Sequence, residues 1–240
     1  MKITWLNETD STLHEAARHA ANADEGAVWA ALFQTAGRGQ QNNSWESEGG
    51  KNLTISVLLR PTWLPIEKQF YISKITSLGI YDFLKQHGIE STIKWPNDSY
   101  VNDKKIAGIL IENHIGGNTL SLSILGIGLN VNQEIFKSNA PNPTSMILEN
   151  GKTIDLKTAL PNLLSCIFKW YDCLKKGEFK EIDTNYTKNL YRFEEWHWFE
   201  KQGKRFLGKI THVKPNGEIA IEDESGKQST FAFKEVSFIL

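Results

Sequence analysis

The chain has 240 residues, 40% hydrophobic and 23% charged, with a formal net charge of -1. That composition belongs to a soluble globular protein, long enough for one large domain or a main domain with a small appendix. The near-neutral balance argues against a general nucleic-acid binder or a membrane-surface protein, and no apolar run reaches transmembrane length.

Residues 2–6 read as a short strand, and no apolar leader region precedes it. Asp10, Ser11 and Thr12 offer N-cap oxygens to the helical run LHEAARHAAN. A small apolar run at 27–33 fits a buried strand, and a glycine-rich segment leads from it into a β-prone run at 53–59. Residues 66–86 repeat apolar side chains at helical spacing and stop before Gly88. A strand at 91–95 is broken by Pro96-Asn97-Asp98. Tyr100-Val101 and 105–112 then form a hairpin about Asn102-Asp103, and a turn at 115–118 leads into 120–129. Consecutive hairpins imply a mixed, mainly antiparallel sheet with packed helices, an α+β fold. Residues 130–154 look irregular, and helices follow at about 155–175 and 178–191. Cys166 and Cys173 lie two turns apart on the first of these, too far for a disulfide, as for thiols in a reducing cytoplasm. After Glu195 the pattern changes to short alternating strands with Gly turns, a small β-barrel of SH3-like size. The expected division is therefore 1–194 and 195–240.

Three clusters could carry chemistry. Gly37-Arg38-Gly39 with Trp45 combines backbone that can approach a ligand closely with a guanidinium that matches carboxylate or phosphate oxygens. A plain surface loop would explain the glycines equally well. Lys94-Trp95-Pro96-Asn97-Asp98, followed by Lys104 and Lys105, gathers cations beside one carboxylate; solvated hairpin lysines account for Lys104 better than for Lys105. Gly126-Ile127-Gly128-Leu129-Asn130 places glycines inside a strand, where they mark either close approach of another group or a β-bulge. The His and Cys have no metal-ligand spacing, and there is neither a Walker loop nor a nucleophile elbow.

Taken in order, these pieces resemble the biotin–protein ligases, the biotin–[acetyl-CoA-carboxylase] ligases. The resemblance rests on DST at 10–12, QTAGRG at 34–39, Trp45 with GGKNLTIS at 49–56, KWPND at 94–98, KKIAGILIE at 104–112 and GIGLNVN at 126–132. It covers essentially the whole chain, and KWPND followed by K-x-AGIL is its most specific part. The resemblance implies a class II synthetase-like catalytic domain and a C-terminal SH3-like domain. It also implies conversion of biotin and ATP, with Mg²⁺ carried on the triphosphate, to biotinyl-5′-AMP. The biotinyl group would then pass to one lysine of a biotin carboxyl carrier protein. Ser11, Thr12, Leu13 and Gln34 would line the biotin pocket with Gly126 and Gly128. Arg38, Gly39 and Gln40 would close over the carboxyl and α-phosphate, and Lys105 would hold the reacting oxygens. Trp45, Lys94, Asn97 and Asn130 would serve the nucleotide, and Asp98 would position or deprotonate the acceptor lysine. No protein-held metal, nucleic acid or membrane is implied, and a homodimer is compatible.

Two positions depart from the family pattern. Leu13 stands where Asn commonly follows Ser-Thr, and Gln40-Gln41-Asn42-Asn43 replaces a more basic stretch. A lipoate or octanoate ligase shares this fold and acyl chemistry, but an acyl tunnel has no need of Ser11, Thr12 and Gln34. A non-catalytic biotin-binding module would need none of Lys94, Asp98 and Lys105. For a DNA-binding regulator, the first strand begins too near residue 1 to leave room for a winged helix.

Overall fold

The structure is a computed structural model that describes residues 2–40, 43–138 and 142–239; Gln41 and Asn42 of the uncharged stretch lie outside them. Strands β1 (Ile3–Thr9), β2 (Val28–Gln34), β3 (Leu53–Leu59), β4 (Thr92–Lys94), β5 (Asp98–Val101), β6 (Lys104–Gly116) and β7 (Thr119–Leu129) form one sheet. Its order is β1-β2-β3-β7-β6-β5-β4, with β1 and β2 parallel and every other pair antiparallel. The sheet is mixed and mainly antiparallel, as the run of hairpins implies. Asn102, at φ 52, takes the left-handed turn position between β5 and β6.

Strand periodicity divides the sheet into two unlike faces. Leu53, Ile55, Val57 and Leu59 of β3, with Leu125, Ile127 and Leu129 of β7, pack into the main core. Helices α2 (Phe70–Gln86) and α4 (Leu156–Lys175) also bury their apolar residues in that core. Thr54, Ser56, Gly126 and Gly128 alternate with those residues and so belong to the opposite face. Helix α1 (Thr12–His19) lies there over a smaller cluster that includes Leu13, Trp29, Leu58 and Ile124. Its N-cap is Ser11, whose Oγ accepts from Leu13 N at 3.3 Å. Thr12, the first helical residue, keeps its side chain for contacts across the sheet.

One short helix, α3 (Met146–Asn150), interrupts the stretch expected to be irregular; Ser145 caps its start and Gly151, at φ 69, ends it. Helix α5 (Phe179–Lys188) is shorter than the 178–191 expected. Both cysteines are free. No helix among the described residues is long and apolar enough to cross a membrane.

The second sheet comprises β8 (Trp196–Lys201), β9 (Lys204–Val213), β10 (Ile219–Asp223), β11 (Gln228–Phe231) and β12 (Ser237–Phe238), in the order β11-β10-β9-β8-β12. It is antiparallel throughout, and its end strands do not pair with each other among the described residues. Phe199, Ile210, Ile219 and Phe231 from this sheet belong to the same apolar cluster as α2 and α4. The small sheet is therefore packed onto the larger unit through shared core.

A buried cation ties that junction. Lys74 on α2 is 1% exposed, and its Nζ donates to Asp183 Oδ1 on α5 at 2.7 Å and to Val213 O on β9 at 3.1 Å. Tyr71 OH donates to the other oxygen of Asp183 at 2.7 Å. Burial pulls the Lys74 ammonium below the usual lysine range, while Asp183 opposes that shift. Removing Asp183 leaves a buried charge without its carboxylate, at a cost that solvent moderates because Asp183 is itself part-exposed. Asp183→Ala is predicted to lower unfolding stability by roughly 1–3 kcal/mol at neutral pH. The folded lysine then binds its proton more weakly than the unfolded one, so the deficit should shrink as pH rises through the folded pKa. Urea melts at pH 7 and pH 9.5 check this; a deficit that is absent, or that grows with pH, contradicts it.

Candidate active site

On the face opposite the main core, the sheet floors a cavity of about 580 Å³. The floor is a cross-strand row. Thr54 of β3 pairs with Gly128 of β7, Gly128 with Gly108 of β6, and Gly108 with Asp98 of β5. A second row runs from Ser56 to Gly126 to Leu110. Pairing is continuous through 126–128, and the irregularity of β7 lies at its far end. The glycines therefore mark close approach and not a bulge.

What approaches is side chain. A Cβ on Gly128 would lie 2.3 Å from the Trp45 ring, and one on Gly126 would lie 2.8 Å from Leu13. Trp45 thus lies against bare backbone at the middle of the floor. Leu13, 3% exposed, fills the space over Gly126 and so has an apolar packing role. The Trp45 indole N–H is buried and has no hydrogen-bond partner among the described residues. An unpaired buried donor costs about 1–3 kcal/mol, and this one lines the cavity, where an acceptor could reach it.

At the α1 end the polar groups are fixed. Gln34 Oε1 accepts from Thr12 N at 2.8 Å and from Thr12 Oγ1 at 3.1 Å, and Ser56 Oγ donates to Thr12 Oγ1 at 2.9 Å. A backbone N–H can only donate, so the Gln34 carbonyl must face Thr12 and its amide nitrogen must face elsewhere.

The segment after β2 folds back as a tight hairpin. Trp45 N donates to Gly37 O, Gly39 N donates to Asn43 O, and Arg38 bridges Ser44. Arg38 Nη1 lies 2.8 Å from Glu112 Oε1 and 3.2 Å from His14 Nε2. His14 in turn meets Asp10, whose carboxyl is held well below its usual range, first by Arg18 and then by His14. A cavity-lining guanidinium is thus anchored to both α1 and β6.

At the opposite end, Lys105 Nζ lies 2.7 Å from Asp98 Oδ1, an ion pair without hydrogen-bond alignment, and 5.6 Å from the Trp45 ring centre. Lys94 Nζ donates to Tyr100 OH at 2.9 Å and sits 4.5 Å from that ring's centre. Burial lowers the Lys94 pKa, with neighbouring Lys105 and Arg192 adding to the effect and Asp98 opposing it. Burial, with Asp98 and Asp103, pushes the Tyr100 phenol up to about 12, so it stays protonated. Asn97 clamps β6: its Nδ2 donates to Ile109 O at 2.5 Å and its carbonyl accepts from Ile109 N at 2.9 Å. The Trp95–Pro96 peptide is cis.

Of the residues expected at the site, Ser11, Thr12, Leu13, Gln34, Arg38, Gly39, Gln40, Trp45, Lys94, Asn97, Asp98, Lys105, Gly126 and Gly128 line this one cavity. Asn130 does not. It is 3% exposed and donates from Nδ2 to Thr144 O at 2.9 Å, fastening the segment that leaves β7. Sequence reasoning passed over Thr54 and Ser56, although polar residues alternating with an apolar run in β3 were a readable signal. It also missed Phe233, Lys234, Val236, Ser237 and Phe238, which reach the cavity from the second sheet. No local pattern in the sequence marks them.

Residues 5–130 match the model of the biotin/lipoate A/B protein ligase family. The chain is 34% identical over 233 residues to the bifunctional ligase/repressor BirA of Bacillus subtilis, an alignment that covers 95% of this chain and 70% of that protein. It is 31% identical over 230 residues to the biotin–[acetyl-CoA-carboxylase] ligase of Paracoccus denitrificans, covering 93% and 95% of the two chains. Among solved structures, the biotin protein ligase from Aquifex aeolicus in complex with biotin and ATP superposes with a TM-score of 0.83 at 28% identity, covering 98% of this chain and 97% of that one. A family model spanning more than half the chain, together with relatives aligned along nearly all of it, places the protein in the biotin/lipoate A/B protein ligase family.

Proposed function

We propose that this chain activates biotin with ATP to biotinyl-5′-AMP and transfers the biotinyl group to a lysine of a biotin carboxyl carrier protein. The observation that carries the reading is one cavity with two chemically unlike ends joined by a glycine floor. From β2 to β5 the sheet spans four strand spacings, about 19 Å. That length suits a ligand with a bicyclic head, an acyl chain, a phosphate and a nucleoside in series. The Thr12–Gln34–Ser56 network gives fixed donors and acceptors for a ureido ring, with Ser11 and Leu13 beside it. A lipoyl or octanoyl chain offers nothing to pair with that network, and leaving it unpaired would cost affinity.

In the first step a carboxylate oxygen of biotin attacks the α-phosphorus of ATP, the bond to the β-phosphate breaks, and pyrophosphate leaves. Two anions must meet, and two unit charges at 4 Å repel by about 4 kcal/mol at an effective dielectric near 20. Arg38 and Lys105 are assigned to offset this, with Gly39 and Gln40 in the closing hairpin. Both cations already hold carboxylates, Glu112 and Asp98, so each is aimed before ligand arrives. Trp45 and Asn97 are assigned to the adenosine side and Lys94 to the triphosphate. Among the described residues Asp98 is the one carboxylate that lines the cavity, and it is paired with Lys105. Mg²⁺ is therefore assigned as part of the Mg·ATP substrate.

In the second step the acceptor amine attacks the acyl carbon, AMP leaves, and one proton is lost. An ordinary lysine has a pKa of about 10.4, so something must position or deprotonate it. Asp98 is the assigned group. Residues 1–194 are taken as the catalytic unit and 195–240 as the C-terminal unit.

Three measurements test this reading. With Mg·ATP and a carrier domain, wild-type protein should add one biotinyl mass and release pyrophosphate; addition of lipoyl instead would overturn it. Lys105→Ala and Arg38→Ala should each slow pyrophosphate formation by roughly three powers of ten, the full charge repulsion being the upper limit. Asp98→Ala, supplied with preformed adenylate, should transfer at least tenfold more slowly; wild-type transfer would remove Asp98 from that step.

A further inference from the structure

The cations that line the cavity from the catalytic unit are largely committed. Arg38 is paired with Glu112, Lys105 with Asp98, and Lys94 is part-buried against Tyr100 and Phe238. Among the described residues of the closing hairpin, Gln40 and Asn43 add no charge. One further ammonium lines the same cavity, that of Lys234 in the turn between β11 and β12. It is exposed and makes no ion pair among the described residues, with its Nζ 5.9 Å from the Phe233 ring centre.

The turn that carries it is built, not loose. Ala232 N donates to Glu235 Oε2 at 2.9 Å and Glu235 N to Ala232 O at 3.1 Å, so the two residues close the turn on themselves. Lys234 holds a φ of 72, a left-handed conformation that disfavours any side chain. A lysine at such a position accepts a backbone penalty that glycine would avoid. The turn is also registered to the KWPND segment. Phe233 meets Trp95 edge-on at 6.1 Å, and Trp95 Nε1 donates to Gly217 O of the second sheet at 2.8 Å. Trp95 separates Lys94 from Pro96, so this docking sets Lys234 at the Lys94 end, away from Thr12 and Gln34.

We propose that Lys234 binds the distal phosphates of the nucleoside triphosphate, supplying from the second sheet a cation beside those that Arg38, Lys94 and Lys105 bring. The assignment rests on the nucleotide reading given above. It makes the small sheet part of the ATP site, and it confines the effect to the phosphates that leave as pyrophosphate.

Two variants separate the cation from the fold. Lys234→Gly removes the charge and relaxes the backbone, so lost nucleotide affinity in it is not a folding defect. Lys234→Arg keeps the charge. A part-exposed charge contact is worth about a factor of five in affinity. The KM for ATP should rise about fivefold in Lys234→Gly at saturating biotin, with the KM for biotin unchanged, and Lys234→Arg should restore it. Calorimetry should show the same loss for Mg·ATP and none for AMP, which has no distal phosphates. An unchanged ATP affinity, or equal weakening of AMP, overturns the proposal. If wild-type protein forms no biotin-dependent pyrophosphate, the ligase reading fails instead, and the ATP-versus-AMP comparison still decides Lys234.

Discussion

Close approach to bare backbone is the constraint on which the site depends. Gly108, Gly126 and Gly128 share the face of the sheet opposite the main core, because side chains alternate along a strand. Leu125, Ile127 and Leu129, one residue out of step, hold that same strand into the core. The strand is therefore anchored from behind while its front is stripped of side chains. Trp45 and Leu13 occupy the room this makes, and an added methyl at Gly128 would overlap the indole outright. The glycines cost the strand some intrinsic stability, which the buried residues between them offset.

Charge is arranged on that floor in pairs. Lys105 with Asp98 and Arg38 with Glu112 each pair a cavity-lining cation with a carboxylate. Side chains fixed beforehand lose less freedom when a ligand arrives, the advantage that preorganised electrostatics has over mobile charges. Lys94 is different, because burial weakens its hold on a proton and its contacts are a phenol and two aromatic rings. Among the described residues no carboxylate forms an ion pair with it, although Asp98 is its cross-strand neighbour.

Much of this was legible in the sequence, and the limits are instructive. Alternation in β3 and β7 and the Ser11 cap could be read from local pattern. So could the KWPND–KKIAGIL pairing, since all of these depend on residues near in sequence or on strand period. The short helix α3 was not legible, for its five residues sit among Asn and Pro that read as loop. Asn130 was expected at the nucleotide from the family resemblance, but a single residue's direction past a strand end is set by tertiary contacts, here Thr144. The second sheet's part in the cavity was invisible for the same reason. Phe233 and Lys234 arrive there only because Trp95 and Lys74 dock that sheet against the first.

The central claim is that this cavity brings a biotin carboxylate and the α-phosphate of ATP together. Exchange of labelled pyrophosphate into ATP, measured with Mg²⁺ and without any acceptor protein, reports that event alone. The account predicts exchange that requires biotin, is not supported by lipoate, and is lost in Lys105→Ala. Exchange that is independent of biotin, or equally rapid with lipoate, would contradict it.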